Sequence, residues 1–163
     1  MIMRTKERIR FSLLTALVAT LFTACATKTL STPLYGDVKG SLLPQPGKGL
    51  VLFYCKMGHV ERGFHFQIYN NNEKLTDRFM RGTFFSYQAE PGQLNINTSI
   101  GYSMGNPSWD MIPKDQPPLQ VAAGQTYYVE MQIANWTGNE FMVQVSKEEG
   151  EAGLTQCHWL NPQ

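Results

Sequence analysis

The sequence predicts an all-β domain: a single β-sandwich of seven to eight short, mainly antiparallel strands, with a possible short C-terminal helix. Three observations predict it. Apolar and polar residues alternate over short runs, most clearly where Tyr127, Val129, Met131 and Ile133 interleave with Tyr128, Glu130 and Gln132. Those runs are rich in β-branched and aromatic residues. Turn signals separate them at short spacing: Asn70-Asn71-Asn72, Pro91-Gly92, Ala123-Gly124 and Thr137-Gly138-Asn139.

The chain opens differently from that domain. Arg4, Lys6, Arg8 and Arg10 make a basic start with only Glu7 opposing them, and residues 11–22 are an uncharged run, F-S-L-L-T-A-L-V-A-T-L-F. Small residues, Thr23 and Ala24, then precede Cys25. Basic start, apolar middle and small-residue end are the three zones of a secretory signal. The apolar run is shorter than the roughly 20 residues a bilayer-spanning helix needs. The segment Leu21-Phe22-Thr23-Ala24-Cys25 resembles the lipobox of bacterial lipoproteins, with Phe22 where Leu is usual. The resemblance implies cleavage before Cys25 and a diacylglycerol on its thiol. Two or three acyl chains hold a protein to a bilayer firmly, because each buried CH₂ contributes about 0.8 kcal/mol. Ala26 follows the cysteine, and an Asp there would favour inner-membrane retention, so the resemblance favours an outer-membrane, periplasm-facing address. Residues 25–48, rich in Thr, Ser, Gly and Pro, read as the lipidated cysteine and a flexible tether.

The sandwich is expected over residues 49–163. Its first strand is the short apolar run L-V-L-F-Y-C-K at 50–56. Phe64, Phe66 and Ile68 alternate with His65, Gln67 and Tyr69 and lead into the asparagine turn. A short strand follows near residues 74–78. An aromatic strand at 83–90 stops at Pro91-Gly92. Leu94, Ile96 and Thr98 alternate with Asn95, Asn97 and Ser99. Leu119 and Val121 run into a hairpin signal at Ala123-Gly124. Phe141, Val143 and Val145 form the last strand; like Phe64, Phe66 and Ile68, and like Tyr127, Val129, Met131 and Ile133, they follow the period of one strand face and are expected to be mostly buried. Residues 147–155 read as one or two helical turns.

Four segments in order resemble a family of small bacterial lipoproteins, domain of unknown function 2846. They are the opening V-L-F-Y, the G-T-F-F-S-Y at 82–87 with Glu90-Pro91-Gly92 after it, the L-Q-V-A-A-G-Q-T-Y-Y-V at 119–129, and a closing strand followed by Glu151-Ala152. The resemblance covers residues 49–154 and implies a β-sandwich and an envelope address. It implies no reaction.

Composition limits the function. Four of the 14 basic residues and one of the 13 acidic ones precede Cys25, so the remaining 139 residues carry a net charge of −2. No basic patch invites a nucleic acid. The sequence contains no phosphate-binding loop, no C-x-x-C and no H-x-x-x-H, and no cofactor or metal is expected.

The chemistry-bearing residues are few. With Cys25 assigned to lipid, Cys55 and Cys157 remain in a compartment that permits disulfides. A Cys55–Cys157 disulfide is the favoured reading, against two unpaired thiols or a catalytic thiol. A thiol-dependent envelope hydrolase would draw on His59, His65 or His158. Such a nucleophile commonly sits at a helix N-terminus, and Cys55 lies within an apolar strand pattern. Glu148, Glu149 and Glu151 read as a solvated helical face, and Asp77 and Asp110 as lone acids. Tyr102, Trp109 and Trp136, in or beside expected loops, are candidate contacts for a partner, or lids over the core. Residues 101–118 hold four of the nine prolines and read as one long loop. The expectation is a non-enzymatic envelope lipoprotein, held to the bilayer through Cys25, that contacts an envelope protein or has an accessory role. The alternatives are a glycan (peptidoglycan)-binding module that uses the loop aromatics Tyr102, Trp109 and Trp136, and the hydrolase.

Overall fold

The computed structural model describes residues 32–58, 64–102, 106–111, 117–134 and 139–160, and a compact unit begins at Thr32. The fold is all-β. Among the described residues there are eleven strands: β1 Gly49–Cys55, β2 Phe64–Asn70, β3 Glu73–Phe79, β4 Thr83–Ala89, β5 Gly92–Leu94, β6 Ile96–Tyr102, β7 Asn106–Met111, β8 Leu119–Val121, β9 Thr126–Ala134, β10 Asn139–Val145 and β11 His158–Trp159. Two short helices, α1 (Tyr35–Val38) and α2 (Lys147–Leu154), complete it.

A five-stranded sheet runs β10-β9-β1-β4-β11, a four-stranded sheet runs β3-β2-β6-β7, and β5 and β8 form a separate ribbon. Most pairings are antiparallel; β1 with β9 and β4 with β11 are parallel. The asparagine turn closes the β2–β3 hairpin, with Asn71 at φ 52°, a conformation asparagine tolerates better than most residues.

The five-stranded sheet is buried on both faces. Its inner face (Val51, Phe53, Cys55, Phe85, Val129, Met131) meets Phe66, Ile68 and Phe79 of the other sheet. Its outer face (Leu50, Leu52, Tyr54, Phe84, Tyr128) is covered by Tyr35 of α1, Leu154 of α2 and Cys157. All seven residues of β1 are therefore buried, which explains why its sequence is an unbroken apolar run. The inner face carries an offset stack of Phe53 on Phe85, with centroids 4.8 Å apart, and Phe79 edge-on to the same ring.

The structure corrects the sequence expectations in five places. There are more strands than seven or eight, because Leu94 falls in a separate strand, β5, and β7 and β11 are added. Residues 101–118 are not one loop: Gly101 and Tyr102 end β6, and β7 pairs with it. Pro107 is tolerated because β7 is an edge strand whose pairing shifts register next to it. Ala123-Gly124 does not close a hairpin, since β8 pairs with β5 while β9 lies beside β1. Residues 32–48 belong to the domain rather than to the tether. Tyr35 is buried, and its N–H bonds to the Cys157 carbonyl at 3.1 Å. Finally, β10 keeps its period of two but in the opposite phase. Met142, paired with Met131, is in the inner core; Val143 is 37% exposed; Val145 packs against the outer cluster. The expected core residues Phe66, Ile68, Val129 and Met131 are buried and Tyr127 is partly buried, whereas the side chains of Phe64, Ile133 and Phe141 lie outside the described residues.

Candidate functional site

Two places in the fold concentrate polar chemistry. The first is the covered outer face of the five-stranded sheet. Glu130, on β9, is 1% exposed. Sequence alternation placed it on the face away from the inner core; the structure puts that face under α2. The Tyr54 hydroxyl donates to its Oε2 at 2.8 Å, and the Lys56 ammonium lies 2.8 Å from the same atom. Burial, then the bond to Glu130, holds the Tyr54 phenol well above the usual tyrosine range.

A second Tyr–Glu–Lys group lies along the same helix. Lys39 bonds Glu151 at 2.7 Å, and the Tyr128 hydroxyl is 3.5 Å from Glu151 Oε1. That bond from Lys39, before any other influence, lowers the Glu151 carboxyl below the ordinary range. Burial raises both the Tyr35 and the Tyr128 phenols.

The helix can approach these tyrosines because two of its residues have no side chain. A Cβ on Gly150 would overlap the Tyr128 ring, and one on Gly153 would overlap Tyr54. The helix is started by a reciprocal cap: Glu149 N–H donates to Ser146 Oγ at 3.2 Å, and Ser146 N–H donates to Glu149 Oε2 at 3.1 Å. The bond from the Ser146 N–H, chiefly, lowers the Glu149 carboxyl. The Ser146-x-x-Glu149 spacing was a sequence signal for this helix start.

Cys55 and Cys157 are both buried and both free thiols, which corrects the expected disulfide. The reason is topological. Cys55 points into the inner core with Val51 and Phe53, whereas Cys157 belongs to the outer cluster with Tyr54 and Phe84. Cys157 Sγ contacts the Cys55 carbonyl at 3.7 Å and the Gly153 carbonyl at 3.5 Å. Burial pushes the Cys55 thiol up to about 12 and the Cys157 thiol up to about 11. A nucleophilic cysteine needs the opposite shift. His158, adjacent to Cys157, is exposed, and its Nδ1 lies 2.9 Å from the Thr32 carbonyl oxygen. His65 is partly buried on β2, and His59 lies outside the described residues.

The second place is a cleft of about 420 Å³ where the β5–β8 ribbon meets the β6 start and β10. Its apolar lining includes Leu94, Leu119, Val129 and Met142, and its polar lining is the carboxamides Asn95, Asn97 and Gln144; no described charged residue lines it. Such a lining suits an uncharged ligand with an apolar part. Asn95 and Asn97 are held from behind: their amide nitrogens donate to the Asn71 side-chain and main-chain oxygens at 3.1 and 3.3 Å.

The other residues expected from sequence are placed as follows. Cys25 and Trp136 lie outside the described residues. The backbones of Tyr102 and Trp109 are in β6 and β7, so these are strand rather than loop residues; their side chains are outside the description. No group of three or more His, Cys, Asp or Glu among the described residues could hold a metal ion.

No family model, no curated protein and no solved structure matches the chain.

Proposed function

We propose that the protein is a lipid-anchored envelope lipoprotein whose β-sandwich acts through non-catalytic contacts, probing the envelope from a membrane surface. The observation that carries this reading is the position of Cys25. The charged start, apolar run and small residues end there, and the compact domain begins only seven residues later, at Thr32. A folded domain starting directly after a short spacer is what an anchored module requires. The kinship with domain of unknown function 2846 belongs to the same proposal and rests on the four quoted segments. Buried thiols with raised pKa values favour a contact role over a thiol hydrolase. The test is Cys25→Ser, followed by labelled palmitate and membrane fractionation. Loss of label and release from the membrane are expected; label retained on the variant overturns the anchor.

A second reading is favoured by one observation, the uncharged carboxamide-rimmed cleft. Asparagine and glutamine side chains both donate and accept, so they match the hydroxyls and acetamido groups of an uncharged sugar strand such as that of peptidoglycan. Sedimentation with purified peptidoglycan, comparing the natural chain with Asn95→Ala/Asn97→Ala, tests it. Equal sedimentation of the two sinks the glycan reading.

A further inference from the structure

We infer that the end of the sandwich carrying Leu34, Met57 and Met80 rests on the bilayer surface, so that the domain has a fixed orientation on the membrane. The inference rests on lipid anchoring at Cys25.

The tether limits how far the domain can stand from the bilayer. Seven residue steps separate Cys25 from Thr32. At about 3.3–3.6 Å per residue, that chain spans at most about 25 Å even when fully extended. The point where it enters the domain is pinned. The Trp159 N–H donates to the Pro33 carbonyl at 2.8 Å, Leu34 forms a β-bridge with His158, and Lys39 is ion-paired with Glu151. Whatever surrounds Thr32 is therefore held close to the lipid headgroups.

Exposed apolar side chains lie around that entry point. His158 N–H donates to the Gly82 carbonyl at 2.8 Å, and Gly82 N–H donates to the Cys55 carbonyl at 2.7 Å. Gly82 thus joins the anchor-side bridge to the end of β1 and the start of β4. Met57 packs on Gly82, where a Cβ would overlap its sulfur, and the positive φ of 69° at that position also favours glycine. Met80 sits at the same turn, its carbonyl accepting from Thr83 N–H at 3.2 Å. Leu34, Met57 and Met80 are 40, 51 and 39% exposed, and they are three of the five large apolar side chains so exposed among the described residues. The other two, Leu43 and Val143, lie elsewhere: Leu43 beside Gln88 near the opposite end of β4, Val143 on β10.

Arg81 follows Met80 and places a cation beside that methionine, whereas the Lys56 ammonium before Met57 is committed to Glu130. Anionic headgroups attract cations next to a membrane, and long cationic side chains extend to phosphate while methionine enters the interface. Of the acidic groups nearby, Glu130 is ion-paired with Lys56, whereas Glu149 accepts from the Ser146 N–H in the helix cap and Asp37 accepts from the Leu34 N–H at 3.0 Å. In this orientation the ribbon and the Asn95–Asn97 rim lie at the far end of the sheet, because β1 runs from Gly49, beside Val121, to Cys55, beside Thr83.

The test uses the full lipidated chain on vesicles of phosphatidylethanolamine and phosphatidylglycerol. Met57→Cys, Met80→Cys and Asn95→Cys each receive a polarity-sensitive fluorophore; the acylated Cys25 and the buried Cys55 and Cys157 do not compete. Probes at 57 and 80 are expected to shift to the blue, to be quenched by quencher-labelled lipid, and to be shielded several-fold from iodide relative to the probe at 95. Equal iodide quenching at all three positions overturns the orientation while leaving the anchor intact. A chain that fails to float with the vesicles overturns the anchor, and the orientation with it. Unchanged melting temperatures identify folded variants, and the two methionine positions are read independently, so one that misfolds leaves the other decisive.

Discussion

Tyr54 and Glu130 sit opposite each other on the parallel strands β1 and β9, and the Tyr54 hydroxyl donates to the Glu130 carboxylate across that pair at 2.8 Å. With Lys56 on the same oxygen, the contact makes a buried charge tolerable beneath a covering helix.

Removing the cation should therefore destabilise the fold. Lys56→Met is expected to cost about 2 kcal/mol, less than the 3–5 kcal/mol of a fully buried pair because the Lys56 side chain keeps access to water. In a Glu130→Gln background the same change should cost much less. Urea denaturation of the four proteins gives the coupling energy; a value near zero would show that the pair is not coupled.

The two helix glycines make the opposite of the usual prediction. In a solvated helix, Gly→Ala stabilises by about 1 kcal/mol. Here Gly150→Ala and Gly153→Ala should each destabilise by about 1–3 kcal/mol, because a methyl would push into Tyr128 or Tyr54. Thermal melting decides, and an upward shift for either variant would mean that the helix does not press on the rings.

The thiols predict alkaline lability. Both have folded-state pKa values above the ordinary value of 9.0, so the folded chain holds these protons more tightly than the unfolded chain. Their contribution is fully present below about pH 9 and is lost as pH rises towards 11 for Cys157 and 12 for Cys55. The raised Tyr54, Tyr128 and Tyr35 phenols act in the same direction at higher pH. Unfolding free energy measured from pH 8 upwards should fall, and native protein at pH 8 should resist maleimide until denatured. Rapid labelling of both thiols in the native state would contradict their burial.

The phase of β10 is tested by two neighbours. Met142→Ala should cost about 2–5 kcal/mol, as expected for a core methionine, whereas Val143→Ala should stay within about 0.5 kcal/mol. Reversed costs would restore the face that the sequence alone suggested.

The sequence by itself determined the class of fold. Alternation at Phe66 and Ile68 and at Val129 and Met131 survives into the inner core, because a side-chain period of two is a local property of extended backbone. The same is true of the Asn71 turn, whose unusual φ is set by the residue itself. Alternation does not state which face of a strand is buried, nor whether both are. Val143 illustrates the first, since only pairing of Met142 with Met131 fixes the phase of β10. Glu130 illustrates the second, since its burial depends on a helix some twenty residues later in the chain. The free thiols have the same origin: Cys55 and Cys157 are close in space, but the sheet sends their side chains to different clusters. Pairing partners, the covered outer face and the docking of residues 32–41 against 151–159 were decided by contacts between distant segments. No local pattern encodes such contacts, because they form only when the whole sheet is assembled.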